Sequence, residues 1–132
     1  PHGGTFNGNP VTMLAGMATM EGMTPQAFDE LNALGDFARE GFREAFSSAG
    51  VTGQVTGQGS LMRLHLTDRP LTNYRTVYPT PEESARMTAV HRHLLNAGYY
   101  LATYGLICLS TVNTRDEIDG LIAATVEGIQ AA

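Results

Sequence analysis

Residues 2–21 have the sequence HGGTFNGNPVTMLAGMATME, in which a glycine-rich loop leads directly into an apolar segment. Asn9 followed by Pro10 predicts a helix start, because asparagine caps helix N-termini and proline is tolerated at the first helical position. Apolar residues then recur at helical spacing, namely Val11, Leu14, Met17 and Ala18, with Met13 and Met20 beside them. The pattern predicts a helix from about Pro10 to Glu21.

The loop ahead of this helix is a candidate anion site. It combines three glycines, the Thr5 hydroxyl and two asparagine amides within residues 2–10. Glycines let backbone N–H groups approach an anion closely, and a following helix N-terminus favours negative charge. A simple glycine-rich connector is the alternative interpretation of the same residues.

A second, longer helix is predicted between the start at Thr24 and Pro25 and the end at Gly50. One face carries an apolar stripe, formed by Phe28, Leu31, Leu34, Ala38, Phe42, Ala45 and Phe46. The remaining faces carry charged residues, among them Asp29, Glu30, Asp36, Arg39, Glu40, Arg43 and Glu44. We expect these charges to form a solvated surface with weak local pairs.

Beyond residue 50 the pattern changes to that of strands. Met62, Leu64 and Leu66 alternate with Leu61, Arg63 and His65, which predicts a strand with one mainly apolar face. Arg63 and His65 on the other face could line a cleft or could form a half-buried polar surface. The glycines of residues 53–60 are expected to permit a bend or bulge, because nucleotide-binding glycine loops follow a strand and this one precedes it. Leu71–Pro79 is expected to be a loop.

Two capping boxes predict the remaining helices, one beginning at Thr80 and one at Thr114. Their expected buried residues are Met87, Val90, Leu94 and Leu95 in the first, and Ile118, Leu121, Ile122, Thr125, Val126 and Ile129 in the second. Tyr99–Leu101 and Leu106–Ser110 are predicted as two short strands between them. The whole order predicts an α+β fold, in which helices cover one face of a small, mainly antiparallel sheet.

Composition excludes several classes of function. The 132 residues carry a net charge of −5, which does not suggest binding to a phosphate backbone, so no nucleic-acid partner is expected. No apolar run approaches the ~18 residues of a membrane span, and no signal peptide is visible. Cys108 is the single cysteine, so no disulfide forms within the chain, and its apolar surroundings predict a buried thiol in a reducing cytoplasm.

The chain also lacks the residues of two common kinds of site. All eight basic residues are arginine, so no lysine amine is present to act as a nucleophile. His91 and His93 are two positions apart on a predicted helix and therefore point to different faces, which predicts surface histidines rather than metal ligands.

The motif HGGTxxGNPxxxxAG, matched by residues 2–16, resembles the corresponding segment of class III, fold-type I aminotransferases. The resemblance is closest to the branch that contains glutamate-1-semialdehyde aminomutase, and the later elements follow the family order more loosely. It implies a C-terminal portion of a cytoplasmic homodimer that uses pyridoxal 5'-phosphate. Residues 1–23 would then end the large cofactor-binding domain, residues 24–50 would form a linking helix, and residues 51–132 would form the small C-terminal domain.

The resemblance also implies roles for individual residues. Thr5 would bind the cofactor phosphate in the active site of the neighbouring subunit, with Gly4 beside it in the cofactor-binding loop. His2, Gly3 and Gly4 match the motif, and we expect them to shape the loop. The family's Schiff-base lysine lies upstream of the motif, so no catalytic residue and no metal ligand is expected within these 132 residues.

The implied activity is amino transfer between an amino acid or amine and a keto acid, which this chain alone would not catalyse. Two alternatives remain open: an aminomutase that moves an amino group within one molecule, and a non-catalytic module that binds a partner through the Met-rich first helix. If the family assignment holds, Met13, Leu14, Met17 and Met20 should expose an apolar surface, because their partners would be the large domain and the second subunit.

Overall fold

The computed structural model describes residues 3–132 as five helices and one three-stranded sheet. The helices are α1 (Pro10–Gly22), α2 (Pro25–Ala49), α3 (Tyr74–Val77), α4 (Pro81–Asn96) and α5 (Arg115–Ala131). The strands are β1 (Gln54–Gln58), β2 (Leu61–His65) and β3 (Leu106–Cys108). His2, which matches the loop motif, lies outside the described residues.

The helix ends follow from local capping chemistry. Thr80 and Thr114 each form a complete capping box with the glutamate three residues later, at the starts of α4 and α5. Thr24 caps α2 through its side chain, and Gly50 ends that helix in the left-handed conformation at φ 63°. These four ends confirm the boundaries predicted from the sequence.

The sheet is antiparallel throughout, with the strand order β1-β2-β3. Val55 pairs with Leu64 and Met62 with Ile107, which places these apolar side chains on one face. Helix α2 packs against β1 and α5, and α4 packs against α5. The main buried side chains of the resulting core are Ala38, Phe42, Phe46, Met62, Leu64, Val90, Leu94, Ile107, Ile118, Ile122 and Ile129. The predicted α+β class is confirmed.

Helix α1 lies outside this core. None of its residues is buried, and its large apolar side chains Met13, Leu14, Met17 and Met20 are all more than half exposed. The expected exposure of an apolar helix is therefore confirmed. A helix of this composition gains little stability from its own hydrogen bonds in water, so it needs a partner surface.

Four local predictions were wrong. Tyr99–Leu101 is not a strand, and Leu71–Pro79 is not simply a loop, because Asn73 caps the short helix α3 within it. Leu95 is exposed, since the buried stripe of α4 runs through Met87, Val90 and Leu94. Cys108 is also exposed, because β3 alternates and it is the neighbouring Ile107 that faces the core.

The fifth error concerns Arg39, which was expected on the solvated face of α2. It is only 6% exposed and donates hydrogen bonds to the Gly59 carbonyl oxygen and to Asp36. The β1–β2 hairpin turn lies directly against α2 at this point. A Cβ atom on Gly35 would lie 1.9 Å from the Gly59 oxygen, so the close approach depends on glycine at position 35.

Candidate functional site

The loop before α1 is built from two consecutive turns. The Asn7 amide donates to the Gly4 carbonyl oxygen at 3.1 Å, and the Asn9 amide donates to the Phe6 carbonyl oxygen at 3.2 Å. Gly8 has φ +71°, a conformation that glycine adopts without strain. The turns leave Thr5 and Phe6 exposed at the tip of the loop.

The N-terminus of α1 is closed by its own cap. Asn9 Oδ1 accepts hydrogen bonds from the Val11 and Thr12 amides at 3.0 and 3.2 Å, and Pro10 has no N–H group. The Met13 amide donates to the Asn9 carbonyl oxygen. An anion at this loop would therefore gain from the helix dipole but would receive no hydrogen bond from the first-turn amides of α1.

The loop itself supplies the donors for an anion. The Thr5 hydroxyl and the amides of Thr5, Phe6 and Gly8 have no hydrogen-bond partner among residues 3–132. They lie within four consecutive residues of an exposed, glycine-containing turn. This donor set, one hydroxyl with adjacent main-chain amides, is the kind that binds a phosphate.

A second feature is a cavity of about 180 Å³ beside the sheet. Its walls come from β2, the segment after β2, the first turns of α4, and Thr103 with Tyr104. Arg63 and His65 both line it, so of the two interpretations of this strand face the cleft is the one observed.

An ion pair forms one wall of the cavity. Arg69 Nη2 donates to Glu83 Oε2 at 2.8 Å, and Arg69 Nη1 donates to the other carboxylate oxygen. Arg69 also donates to the carbonyl oxygens of Thr76 and Tyr78, which ties the α3 segment to the start of α4. The hydrogen bonds from Arg69, together with that from the Thr80 amide, lower the pKa of Glu83 to about 2.

His65 lies next to this pair and is buried. Its Nε2 atom lies 2.8 Å from the Thr56 hydroxyl on the neighbouring strand. Burial lowers the pKa of His65, and the positive charges of Arg63 and Arg69 lower it further. The imidazole is therefore mainly neutral at pH 7.

The other histidines form no shared site. His91 Nε2 lies 3.2 Å from the Leu101 carbonyl oxygen, whereas His93 Nε2 lies 3.7 Å from Glu127 Oε2. Within residues 3–132, no three His, Cys, Asp or Glu side chains are grouped as metal ligands. No helix in that range is long and apolar enough to cross a membrane.

Transaminases and glutamate-1-semialdehyde aminomutases are among the known proteins similar to this chain. An omega-transaminase from Sphaerobacter thermophilus superimposes on 98% of the chain with a TM-score of 0.89 and 43% sequence identity, and 30% of that enzyme is covered. The chain is homologous to the class III aminotransferases. A solved transaminase with PLP bound aligns with 99% of the chain at 34% identity and a TM-score of 0.79, and 29% of it is covered.

The aminomutase branch is similar to the chain as well. A glutamate-1-semialdehyde 2,1-aminomutase from Sorangium cellulosum is 32% identical over 130 residues, which are 97% of this chain and 29% of that protein. No family model matches the chain. This class III aminotransferase homologue thus spans about 30% of the length of the relatives it matches.

Sequence reasoning identified the loop of this aminotransferase homologue and left open a cleft at Arg63 and His65, but it missed the wall that Arg69 and Glu83 form and the part of Tyr104. Glu83 was expected only to complete the capping box at Thr80, and its pairing with Arg69 joins residues 14 positions apart in the chain. The signal that could have indicated this ion pair was a basic residue at the end of a strand, Arg69, followed after a short segment by the acidic start of a helix at Glu82 and Glu83. Tyr104 carried no signal, because a strand was predicted at Tyr99–Leu101 and the residues after it had no distinctive pattern.

Proposed function

We propose that the chain is the C-terminal part of a pyridoxal-phosphate-dependent aminotransferase, which transfers amino groups between an amino acid or amine and a keto acid. The observation that carries this proposal is the exposed Thr5 loop, which presents a hydroxyl and main-chain amides, directly followed by the unburied apolar helix α1. The similarity to aminotransferases over nearly the whole chain supports it.

In this proposal Thr5 donates its hydroxyl to the phosphate of pyridoxal 5'-phosphate, and the amides of Thr5, Phe6 and Gly8 orient the same group. Gly4 keeps the loop open at this point, because a Cβ atom there would lie 3.3 Å from Asn7 Oδ1. When bound, the cofactor serves as the electron sink for amino transfer, and the protein supplies binding and orientation.

We propose that the phosphate belongs to the neighbouring subunit of a cytoplasmic homodimer. Four exposed apolar side chains of α1, Met13, Leu14, Met17 and Met20, support this arrangement, because they require a partner surface. Residues 1–23 would then end the large domain, and residues 51–132 would form the small domain. The linking helix of residues 24–50 also contributes Phe42 and Phe46 to the small-domain core.

The same proposal makes this chain inactive by itself. It contains no lysine, so it has no amine to hold the cofactor covalently. Assays of amino transfer with residues 1–132 alone should detect no turnover, and detectable turnover by that chain would contradict the assignment of its role.

Two other functions compete with amino transfer between molecules. The similarity to a glutamate-1-semialdehyde aminomutase favours transfer within one molecule. Incubating the whole protein with glutamate-1-semialdehyde alone, and separately with an amino donor and a keto acid, distinguishes the two by the substrate that reacts. A non-catalytic binding module would react with neither and would bind no pyridoxal 5'-phosphate.

The role of Thr5 is tested by titrating pyridoxal 5'-phosphate into Thr5→Ala and Thr5→Ser variants of the whole protein. A hydrogen bond to a charged acceptor contributes about 1.5–3 kcal/mol, so Thr5→Ala should weaken cofactor binding by roughly ten- to a hundredfold. Thr5→Ser should keep most of the affinity. Because the contact is between subunits, the alanine variant should also lose the stabilisation of the dimer by cofactor. Equal affinities of the two variants would remove Thr5 from the site.

A further inference from the structure

Arg63 lines the cavity and makes two contacts with Tyr104. Its Nε atom donates to the Tyr104 carbonyl oxygen at 3.2 Å, and its guanidinium carbon lies 5.4 Å from the centroid of the Tyr104 ring. Both contacts use the same residue and leave the two terminal nitrogens free, since neither has a hydrogen-bond partner among residues 3–132. A planar guanidinium with its terminal nitrogens free is preorganised for a two-oxygen acceptor.

The charges around the cavity leave this guanidinium uncompensated. Glu83 is the only acidic side chain among the cavity-lining residues, and both of its oxygens are bonded to Arg69. His65 is buried beside them and is mainly neutral. The cavity therefore carries one net positive charge, which belongs to Arg63.

The apolar residues of the cavity lining determine which kind of anion it favours. Leu66, Val77, Pro79 and Met87 form the apolar wall of the cavity. An apolar wall disfavours a fully hydrated inorganic anion and favours an organic one. At about 180 Å³, the cavity is suited to a small molecule.

We infer that this cavity binds the carboxylate group of a small organic acid through the terminal nitrogens of Arg63, with the organic part against the apolar wall. The proposal that the cavity binds a carboxylate does not depend on the proposed function. Its use for the keto acid or amino acid of an aminotransferase rests on the proposed function.

The test is a titration of the chain, labelled with ¹⁵N, with benzoate as the probe and benzamide as its neutral isostere. Benzoate should perturb the amide signals of cavity residues such as His65, Thr88 and Tyr104. Arg63→Gln should weaken benzoate binding about tenfold or more, because a charge-assisted interaction is lost. Arg92→Gln removes the same charge from an exposed position outside the cavity and should leave the affinity unchanged.

Several outcomes would overturn the inference. These are equal binding of benzoate by the unsubstituted chain and Arg63→Gln, equal binding of benzoate and benzamide by the unsubstituted chain, and perturbation of the same residues by inorganic phosphate at equal affinity. The second and third comparisons need no variant, so a misfolded Arg63→Gln does not prevent the test.

In the whole protein, Arg63→Gln should raise the KM for the carboxylate substrate and leave the affinity for pyridoxal 5'-phosphate unchanged. The two proposals fail differently. Benzoate binding at the cavity without any amino transfer would sink the proposed function only, whereas amino transfer without benzoate binding would sink the cavity site only.

Discussion

The ion pair between Arg69 and Glu83 predicts a pH-dependent contribution to stability that one substitution isolates. In Glu83→Gln the charge is removed, but the amide oxygen of glutamine can still accept the hydrogen bond from the Thr80 amide that closes the capping box. The variant therefore tests the ionic part of the contact.

The size of the effect follows from the pKa of Glu83, which is lowered from 4.5 to about 2. At about 1.4 kcal/mol per tenfold change in proton affinity, full linkage would give at most about 3.4 kcal/mol. The side chains of Arg69 and Glu83 are 30% and 17% exposed, so water screens part of this interaction. We expect Glu83→Gln to lower the free energy of unfolding by about 1–2 kcal/mol at pH 7, which corresponds to a fall in Tm of about 3–8 °C.

The sign of the pH dependence is fixed because the folded-state pKa lies below the unfolded one. The stabilisation is fully present above about pH 4.5 and is lost as the pH falls through about 2. Urea denaturation of both proteins between pH 7 and pH 2 should show a constant difference down to about pH 5 and a shrinking one below it. Glu82→Gln is the matched control, since this exposed carboxylate lies in the same turn but forms no salt bridge within the described range. Hydrogen bonds from its own backbone amide and from the Thr80 side chain lower the pKa of Glu82, so its substitution should give a smaller difference of the same sign. A difference that stays constant to pH 2, or that Glu82→Gln reproduces, would refute the reasoning.

Two further predictions concern packing. Gly35→Ala should destabilise the chain by about 1–3 kcal/mol in urea denaturation, because the new methyl group would meet the Gly59 carbonyl, although alanine is normally the better helix former. Gly16→Ala, with nothing within 4 Å of the added atom, should be neutral or stabilising, and the same loss at both positions would contradict the close approach. The chain should self-associate in sedimentation experiments through its exposed Met-rich helix, and Met17→Glu should weaken this more than Tyr100→Glu. A monomer at high protein concentration would contradict this prediction.

The parts of the fold that the sequence predicted well depend on contacts within three or four residues. Thr24, Gly50, Thr80 and Thr114 each fix a helix end through hydrogen bonds to their immediate neighbours. Such signals are visible without knowledge of the rest of the chain. The Thr5 loop belongs to the same class, because its turns and its cap are closed within residues 4–13.

The errors arose where burial is decided by distant segments. Arg39 looks like one charge among several on an amphipathic helix, and only the hairpin turn 20 residues later covers it. Cys108 lies in a run of four apolar residues. It belongs to a three-residue strand at the edge of the sheet, and the core covers only the face of that strand on which Ile107 lies. Composition and periodicity cannot show that Arg39 is buried and Cys108 exposed, because neither indicates which distant element packs against a given residue.

The two candidate sites have in common hydrogen-bond donors without a partner in the described part of the chain. No buried side-chain nitrogen or oxygen in the described part of the chain lacks a hydrogen-bond partner, so the hydrogen bonding of the buried side chains is satisfied within the chain. The unpaired donors of the two sites, the Thr5 hydroxyl and the terminal nitrogens of Arg63, lie instead at accessible positions, one in a loop and one in a cavity. Both sets are donor groups, and the two proposals assign an anion to each. Since Thr5 lies in a local motif and Arg63 does not, a role for Thr5 could be proposed from the sequence, whereas the proposal for Arg63 required the three-dimensional arrangement of β2, Tyr104 and the Arg69–Glu83 pair.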